Sequence, residues 1–311
     1  MIEYLEKLVE DREYQKALDY AEQLLLDREN KQWDLMVIYS LLCQARFETG
    51  EFYGAQVAGQ LAMKMAAELE SWDQYGKAAL WLGVCYDRLR QPENALAVWY
   101  DYLAYVPHYQ EAKKHHVVVL FNMGLVAAHT GRFEEAIRMF NKAADVAHTH
   151  NDHRKVHGIR HALIDAHLKH GHLETIPSLL AKCAHYLRHN PGARDHKQSL
   201  MWHLVLRVRF ALATRRPKRA KQVASRGLHM TVDPDLMYQF RMLLAQAYEQ
   251  LGDARLAMAE GVQARAVAIQ ARRYDFEFEI TNYIYGLLSL RPDLVEELGT
   301  LNDDWGPSAI D

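Results

Sequence analysis

One local pattern returns about every 40 residues along the 311-residue chain, and this repetition limits the folds open to it. The clearest copy is VVVLFNMGLVAAHTGRFEEAIRMFNKAADVA at residues 117–147. Apolar residues recur at helical spacing on both sides of Gly131, and glycine supplies the positive φ that often ends a helix. The segment therefore predicts two α-helices joined by a tight turn, which is a helical hairpin.

The second helix of each copy carries an apolar residue at one fixed position. This residue is alanine in six copies and isoleucine in one. These residues are Ala17, Ala55, Ala95, Ala136, Ile176, Ala220 and Ala257. Successive gaps are 38, 40, 41, 40, 44 and 37 residues. A lone hairpin cannot bury its apolar faces, so the copies must stack on one another. We therefore predict an all-α, right-handed α-solenoid of about seven hairpins.

The copies resemble the tetratricopeptide repeat family, whose pattern is W-x₂-L-G-x₂-Y…A-x₃-F…P. The matching residues are Leu82, Gly83, Tyr86, Ala95 and Pro107 in one copy, and Met123, Gly124, Ala136 and Phe140 in the next. The resemblance runs from residue 2 to about residue 290. It departs from the family in its longer period and in the missing aromatic of several copies. The residues that stand where Phe140 does are Gly59, Leu180, Ala224 and Gly261.

The domain organisation follows from the lack of a linker. No Gly/Ser-rich or Pro-rich segment interrupts the repeats, so we expect a single domain over residues 1–301. Two further helices, at residues 274–289 and 292–301, are expected to cap the last hairpin. The polar tail 302–311 is expected to be loose.

The composition excludes several classes of protein. With 16 Gly and 8 Pro, the chain is too poor in turn residues for an all-β fold. No window holds the roughly 18 apolar residues of a membrane span, and the acidic start does not match a signal peptide. The separated Cys43, Cys85 and Cys183 exclude a disulfide framework and a thiolate zinc site. We therefore expect a cytoplasmic protein that does not bind membranes.

No pattern indicates catalysis. The sequence lacks a G-x-S-x-G elbow and a Walker or Rossmann phosphate loop. The paired acids Glu134 and Glu135 fit the dipole of a helix N-terminus better than acid–base chemistry. We expect a protein that is not an enzyme and uses no cofactor.

Histidine is enriched in the middle of the chain, where eight of the 17 lie between residues 148 and 172. His153, His157 and His161 share one helix face because they are four residues apart. A catalytic zinc site needs three protein ligands, and no carboxylate completes this face. We interpret these histidines as solvated and expect no functional metal site.

A basic segment separates two acidic ends. Residues 151–230 hold 16 Lys and Arg against 4 Asp and Glu, although the net charge of the chain is −3. Its densest part comprises Arg207, Arg209, Arg215, Arg216, Lys218, Arg219 and Lys221. One interpretation is a solvated turn around Pro217, and the alternative is an anion or nucleic-acid binder using residues 154–229. The pI of about 6.6 makes nucleic acid the weaker partner.

The resemblance also implies a binding surface. In tetratricopeptide proteins the first helix of each pair lines a concave groove, and a groove asparagine often holds the ligand backbone. Asn122 matches that asparagine, and its amide can donate to a C=O and accept from an N–H. The peptide-binding residues expected from this placement are Lys77, Trp81, Arg88, Asn122, Leu125, His129, His161, Lys169, Trp202, Arg209, Gln246 and Asn282.

The period and the asparagines are similar to the repeat domains of Gram-positive peptide-pheromone receptors. Those receptors carry an N-terminal effector module, whereas the repeats here begin at Tyr4, so we expect no such module. The resulting hypothesis is a non-catalytic scaffold that binds a protein or peptide segment in its groove. The alternatives are the anion or nucleic-acid binder and a structural subunit that self-associates as a homo-oligomer.

Overall fold

The computed structural model describes residues 1–27, 31–291 and 293–294. Within these ranges the chain forms fifteen α-helices and no β-strand. The first helices of the hairpins are α1 (Ile2–Glu10), α3 (Gln32–Glu48), α5 (Trp72–Arg88), α7 (His116–His129), α9 (His153–His170), α11 (His196–Ala213) and α13 (Pro234–Gln250). The second helices are α2 (Tyr14–Leu25), α4 (Phe52–Glu68), α6 (Pro92–Tyr105), α8 (Phe133–Thr149), α10 (Ile176–His189), α12 (Pro217–Met230) and α14 (Ala254–Gln270).

Two further elements complete the fold. A short 3₁₀-helix (Glu111–His115) precedes α7, and α15 (Tyr274–Leu290) follows the last hairpin at the place where residues 274–289 predict a capping helix. The predicted helix at 292–301 lies outside the described residues except for Asp293 and Leu294, and so does the tail 302–311. None of the described helices is long and apolar enough to span a bilayer.

The chain divides into two compact units, unit 1 (Met1–Ala166) and unit 2 (His167–Asp311). The division falls between Ala166 and His167, within α9. The repeat pattern in the sequence does not predict a boundary at this place. The expectation of one domain over residues 1–301 stays a prediction, and each unit is described by itself below.

The same turn closes every hairpin. Its central residue has a φ between 54° and 87°, in the left-handed region, and the seven residues are Arg12, Gly50, Arg90, Gly131, Gly171, Arg215 and Gly252. The next N–H then bonds to the carbonyl five residues back, as from Arg132 N to Ala127 O at 2.8 Å. Each turn residue lies five positions before the fixed residue of the second helix, and all seven of those fixed residues are fully buried. The predicted all-α repeat architecture is confirmed.

Close packing between helices relies on glycine facing an aromatic ring. A Cβ at Gly83 would lie 2.2 Å from the Trp99 ring, and one at Gly124 would lie 2.5 Å from Phe140. In both hairpins the glycine is on the first helix and the ring is on the second. Farther along the chain the order reverses, because a Cβ at Gly227 of α12 would lie 2.3 Å from Phe240 of α13.

The first helices pack more closely with one another than the second helices do. In unit 1, α1 contacts α3, α3 contacts α5 and α5 contacts α7, and in unit 2 α11 contacts α13. The second helices α2, α4 and α6 pack against the first helices before and after them rather than against one another. A stack in which one row of helices is more closely spaced bends toward that row. Within each unit the first helices therefore form the inner face.

Candidate functional site

The residues expected to bind a peptide are divided between the two units. Unit 1 holds Lys77, Trp81, Arg88, Asn122, Leu125, His129 and His161, and unit 2 holds Lys169, Trp202, Arg209, Gln246 and Asn282. All of them lie on first helices or on α15. The surroundings of these residues are therefore described separately for each unit.

The inner face of unit 1 contains a shallow apolar pocket between α7 and α9. Its volume is about 190 Å³, and its lining residues are Val117, Val118, Phe121, Lys155, Gly158 and Ile159. Small-molecule pockets usually measure about 300–1,000 Å³. This smaller volume suits one apolar side chain. We call this feature the apolar pocket.

Two of the expected residues border the apolar pocket. Asn122 follows Val118 by four positions on α7, and Leu125 follows Phe121 by four, so each lies beside a lining residue on the helix surface. Both side chains are partly buried. His129, the last residue of α7, lies one turn beyond Leu125 and is exposed. The structure thus brings a polar amide and an apolar pocket together on one face.

The shape of the apolar pocket follows from one missing side chain and one fixed ring. A Cβ added at Gly158 would meet nothing within 4 Å, so the glycine leaves open space above α9. On the other side, the ring of Phe121 packs against Phe140 with centroids 5.6 Å apart. Lys155 stands exposed at the rim, where its Nζ lies 2.9 Å from Asp152 Oδ2.

The histidine face of α9 is not solvated throughout, and that expectation is wrong for His157. His157 is only 2% exposed, and its ring meets that of His161 with centroids 4.4 Å apart. The face turns inward because α9 packs along this side, whereas His153 at its first residue is exposed. His161 follows Gly158 by three positions and so lies on the same side of α9 as the apolar pocket.

The expected residues of α5 are held by helix packing. Burial lowers the pKa of the Lys77 ammonium, and the nearby carboxylates of Glu6 and Asp73 partly offset this effect. The ring of Trp81 packs on that of Phe47 with centroids 5.5 Å apart. Arg88, at the end of α5, is exposed. Lys77 and Trp81 therefore join α5 to the first helices before it and leave little side-chain surface free.

In unit 2 the expected residues are mostly exposed. Trp202 is 41% exposed, and Lys169, Gln246 and Asn282 are exposed as well, whereas Arg209 is partly buried. The Tyr283 hydroxyl donates to Glu249 Oε2 at 3.1 Å and joins α15 to α13 beside Asn282 and Gln246.

A larger pocket in unit 2 combines apolar walls with arginines. Its volume is about 470 Å³, and its lining residues are Pro177, Leu180, Ala181, Ala184, His203, Arg207, Phe210, Ala211, Thr214, Arg216 and Arg219. We call it the arginine pocket. The sequence shows these arginines within the basic segment but does not show that three of them meet around one cavity.

A usable signal for the apolar pocket was present in the sequence. Gly158 lies 40 residues after Val118, so the repeat register puts a glycine where the preceding copy has a valine. For the arginine pocket, the signal was the basic start of α12, where the helix dipole favours acidic residues.

Comparison with known proteins supports the repeat assignment. The tetratricopeptide repeat family model matches residues 117–149, which include α8 and all of α7 except its first residue. No curated protein matches the sequence at a significant level.

Solved structures are similar to the chain in fold. The apo form of the quorum sensor NprR from B. thuringiensis has a TM-score of 0.65 at 12% identity, covering 93% of this chain and 80% of that one. NprR in complex with its cognate peptide NprX has a TM-score of 0.61 at 14% identity, covering 98% and 88%. Apo RapI has a TM-score of 0.64 at 12% identity, covering 86% and 97%. The chain thus contains a tetratricopeptide repeat at residues 117–149 and has the helical-repeat fold that these proteins share.

Proposed function

We propose that the chain is a non-catalytic binding scaffold and that the inner face of unit 1 at α7 and α9 binds an extended peptide segment. The observation that carries this proposal is the apolar pocket beside Asn122. The pocket would take one apolar side chain of the peptide. The Asn122 amide would donate to and accept from the backbone of a neighbouring peptide residue.

The geometry of an extended chain suits such a site. Successive side chains of a strand point to opposite sides, and alternate residues are about 6.5 Å apart. One apolar side chain can then enter the apolar pocket while the next peptide unit faces Asn122. Leu125, His129 and His161 lie farther along the same two helices. The complex of NprR with its cognate peptide NprX supports the proposal as a precedent for this fold.

The other expected contacts remain part of the proposal. Lys77, Trp81 and Arg88 would extend the site along α5. The unit 2 set would supply a second contact region, and it comprises Lys169, Trp202, Arg209, Gln246 and Asn282. We place the scaffold in the cytoplasm, since all three cysteines are buried and carry thiols rather than disulfides.

The test uses peptides selected against the chain itself. A phage-displayed library of 12-residue peptides, panned on the wild-type protein, is expected to yield peptides that share one apolar residue. Gly158→Leu fills the apolar pocket, and because nothing lies near a Cβ at this position, the fold should tolerate it. We expect the selected peptides to bind this variant at least tenfold more weakly by calorimetry. Asn122→Ala should cost about 1–3 kcal/mol of binding.

Gly286→Leu is the matched control, because Gly286 is also an exposed helical glycine with nothing within 4 Å of an added Cβ. It should leave peptide affinity unchanged. The proposal is wrong if selection yields no binding peptide, or if the peptides bind Gly158→Leu as tightly as the wild type.

A further inference from the structure

The arginine pocket lies on the side of unit 2 opposite its inner face. Two second helices, α10 and α12, form its sides, and the first helix α11 lies between them. Its volume of about 470 Å³ falls within the usual range of small-molecule sites, about 300–1,000 Å³. The site is therefore independent of the peptide site proposed for the inner face of unit 1.

One short side chain contributes to the apolar lining of the cavity. Leu180 occupies the repeat position where α6 has Trp99 and α8 has Phe140, and both of those rings are fully buried. Leucine fills less volume than either ring, and Leu180 is only partly buried. With Pro177 on α10 and Phe210 on α11, it forms an apolar wall.

Three arginines supply the charged part of the lining. Arg207 comes from α11, and Arg216 and Arg219 come from the start of α12. No carboxylate lines the cavity, and across the described part of the chain none of these three guanidinium groups forms an ion pair. Burial lowers the pKa of Arg207, and repulsion from Arg219 and Arg226 adds to this effect. Three like charges thus meet at one apolar cavity without compensation from the protein.

The start of α12 adds to the positive potential. A helix N-terminus carries a partial positive charge that acidic residues usually offset. Five of the other six second helices have acids at the N-cap or in the first turn, and the exception is α10, whose N-cap is Thr175. The acids are Glu13, Glu51, Glu93, Glu134, Glu135 and Asp253. In α12 the N-cap is Arg216, and the first turn contains no acid.

We propose that the arginine pocket binds a small organic phosphate. Arg207, Arg216 and Arg219 hold the phosphate, since a guanidinium matches phosphate oxygens with two parallel N–H donors. The apolar body of the ligand lies against Leu180 and Phe210. The apolar wall of Leu180 and Phe210 distinguishes this site from a surface for nucleic acid, which needs an extended basic groove with stacking rings.

The test is calorimetric titration of the full chain with phenyl phosphate and with inorganic phosphate. We expect phenyl phosphate to bind at least tenfold more tightly, because only it has an apolar body. Arg216→Gln and Arg219→Gln should each weaken phenyl phosphate about tenfold or more. Both residues are exposed, so the variants should fold, and an unchanged melting temperature verifies this.

Lys218→Gln is the matched control, since it removes the same charge from the adjacent position but lies outside the pocket lining. It should change the affinity less than twofold. Leu180→Phe should narrow the cavity and abolish the advantage of phenyl phosphate over inorganic phosphate.

Three results would overturn the proposal. The first is no saturable binding of phenyl phosphate at millimolar concentration. The second is equal losses in Arg219→Gln and Lys218→Gln, which would indicate diffuse surface charge. The third is a single-stranded oligonucleotide that binds more tightly than phenyl phosphate and loses affinity equally in both variants, which would indicate a nucleic-acid surface.

Discussion

The hairpins α7–α8 and α11–α12 share one register but obtain their packing from different partners. In α7–α8, Gly124 of the first helix receives the ring of Phe140 from the second helix of the same hairpin. In α11–α12, Ala224 stands at the aromatic position, and Gly227 receives Phe240 from the next hairpin. What recurs is therefore a glycine on one helix that makes room for an aromatic ring on a neighbouring helix. Either of the two helices can carry the glycine. The family model matches the hairpin α7–α8, in which the glycine and the ring stand at the positions usual for the family.

The two hairpins also differ in the charge at the start of the second helix. An arginine is the N-cap of both second helices, Arg132 in α8 and Arg216 in α12. Only α8 also has acids in its first turn, Glu134 and Glu135, and these offset the helix dipole. At the start of α8 the positive end of the helix dipole is thus offset by acids of the chain itself. The start of α12 leaves positive charge for an outside ligand, which is why the proposed anion site belongs to α11–α12.

Removing the two rings should have the largest effect. Phe140→Ala and Phe240→Ala should each lower the free energy of unfolding by about 3–5 kcal/mol, because each ring is buried in a close-packed site. Hydrogen exchange should rise mainly in unit 1 for Phe140→Ala and mainly in unit 2 for Phe240→Ala. Equal increases in both units for either variant would contradict the separation of the two packing sites.

Filling the two glycine positions should have an intermediate effect. Gly124→Ala and Gly227→Ala place a Cβ 2.5 Å and 2.3 Å from a ring, and such overpacking costs about 1–3 kcal/mol. Urea unfolding measures the loss. Gly286→Ala is the control and should gain up to about 1 kcal/mol from helix propensity alone. Adding Phe240→Leu to Gly227→Ala should recover part of the loss, and no recovery would mean that the ring is not the obstacle.

Acidification should have the smallest effect, at the start of α7. Burial lowers the pKa of His115, although Asp73 partly offsets this, and burial also lowers the pKa of His116. The unfolded chain therefore takes up protons first as the pH falls through about 6.5, and stability that is present above that pH is lost below it. Unfolding by urea at pH 7.5 and 5.5 should show a smaller difference for a His115→Gln, His116→Gln variant than for the wild type. Exposed His129→Gln, in the same helix, should behave as the wild type.

The repeat register was predictable because it depends on residue types at fixed spacing. The gaps between the fixed residues of the second helices are also the gaps between the hairpin turns. The sequence contained a signal for each pocket, but the pockets themselves were not predictable, because each depends on how far the side chains around Gly158 or Leu180 reach. A sequence shows the small residue but does not show whether neighbouring side chains fill the space around it. The burial of His157 escaped for the same reason, since it is set by the packing of α9.

The constant turn has a consequence for how such a chain can change in length. The fixed residue of the second helix always lies five positions after the turn residue, so the spread of 37 to 44 residues arises outside this turn. The lengths of the helices and of the connections between hairpins vary instead, and the 3₁₀-helix Glu111–His115 is one variation in a connection. A gene for this protein could therefore gain or lose a whole hairpin by recombination between those connections, whereas an insertion within the turn would shift two helices out of register.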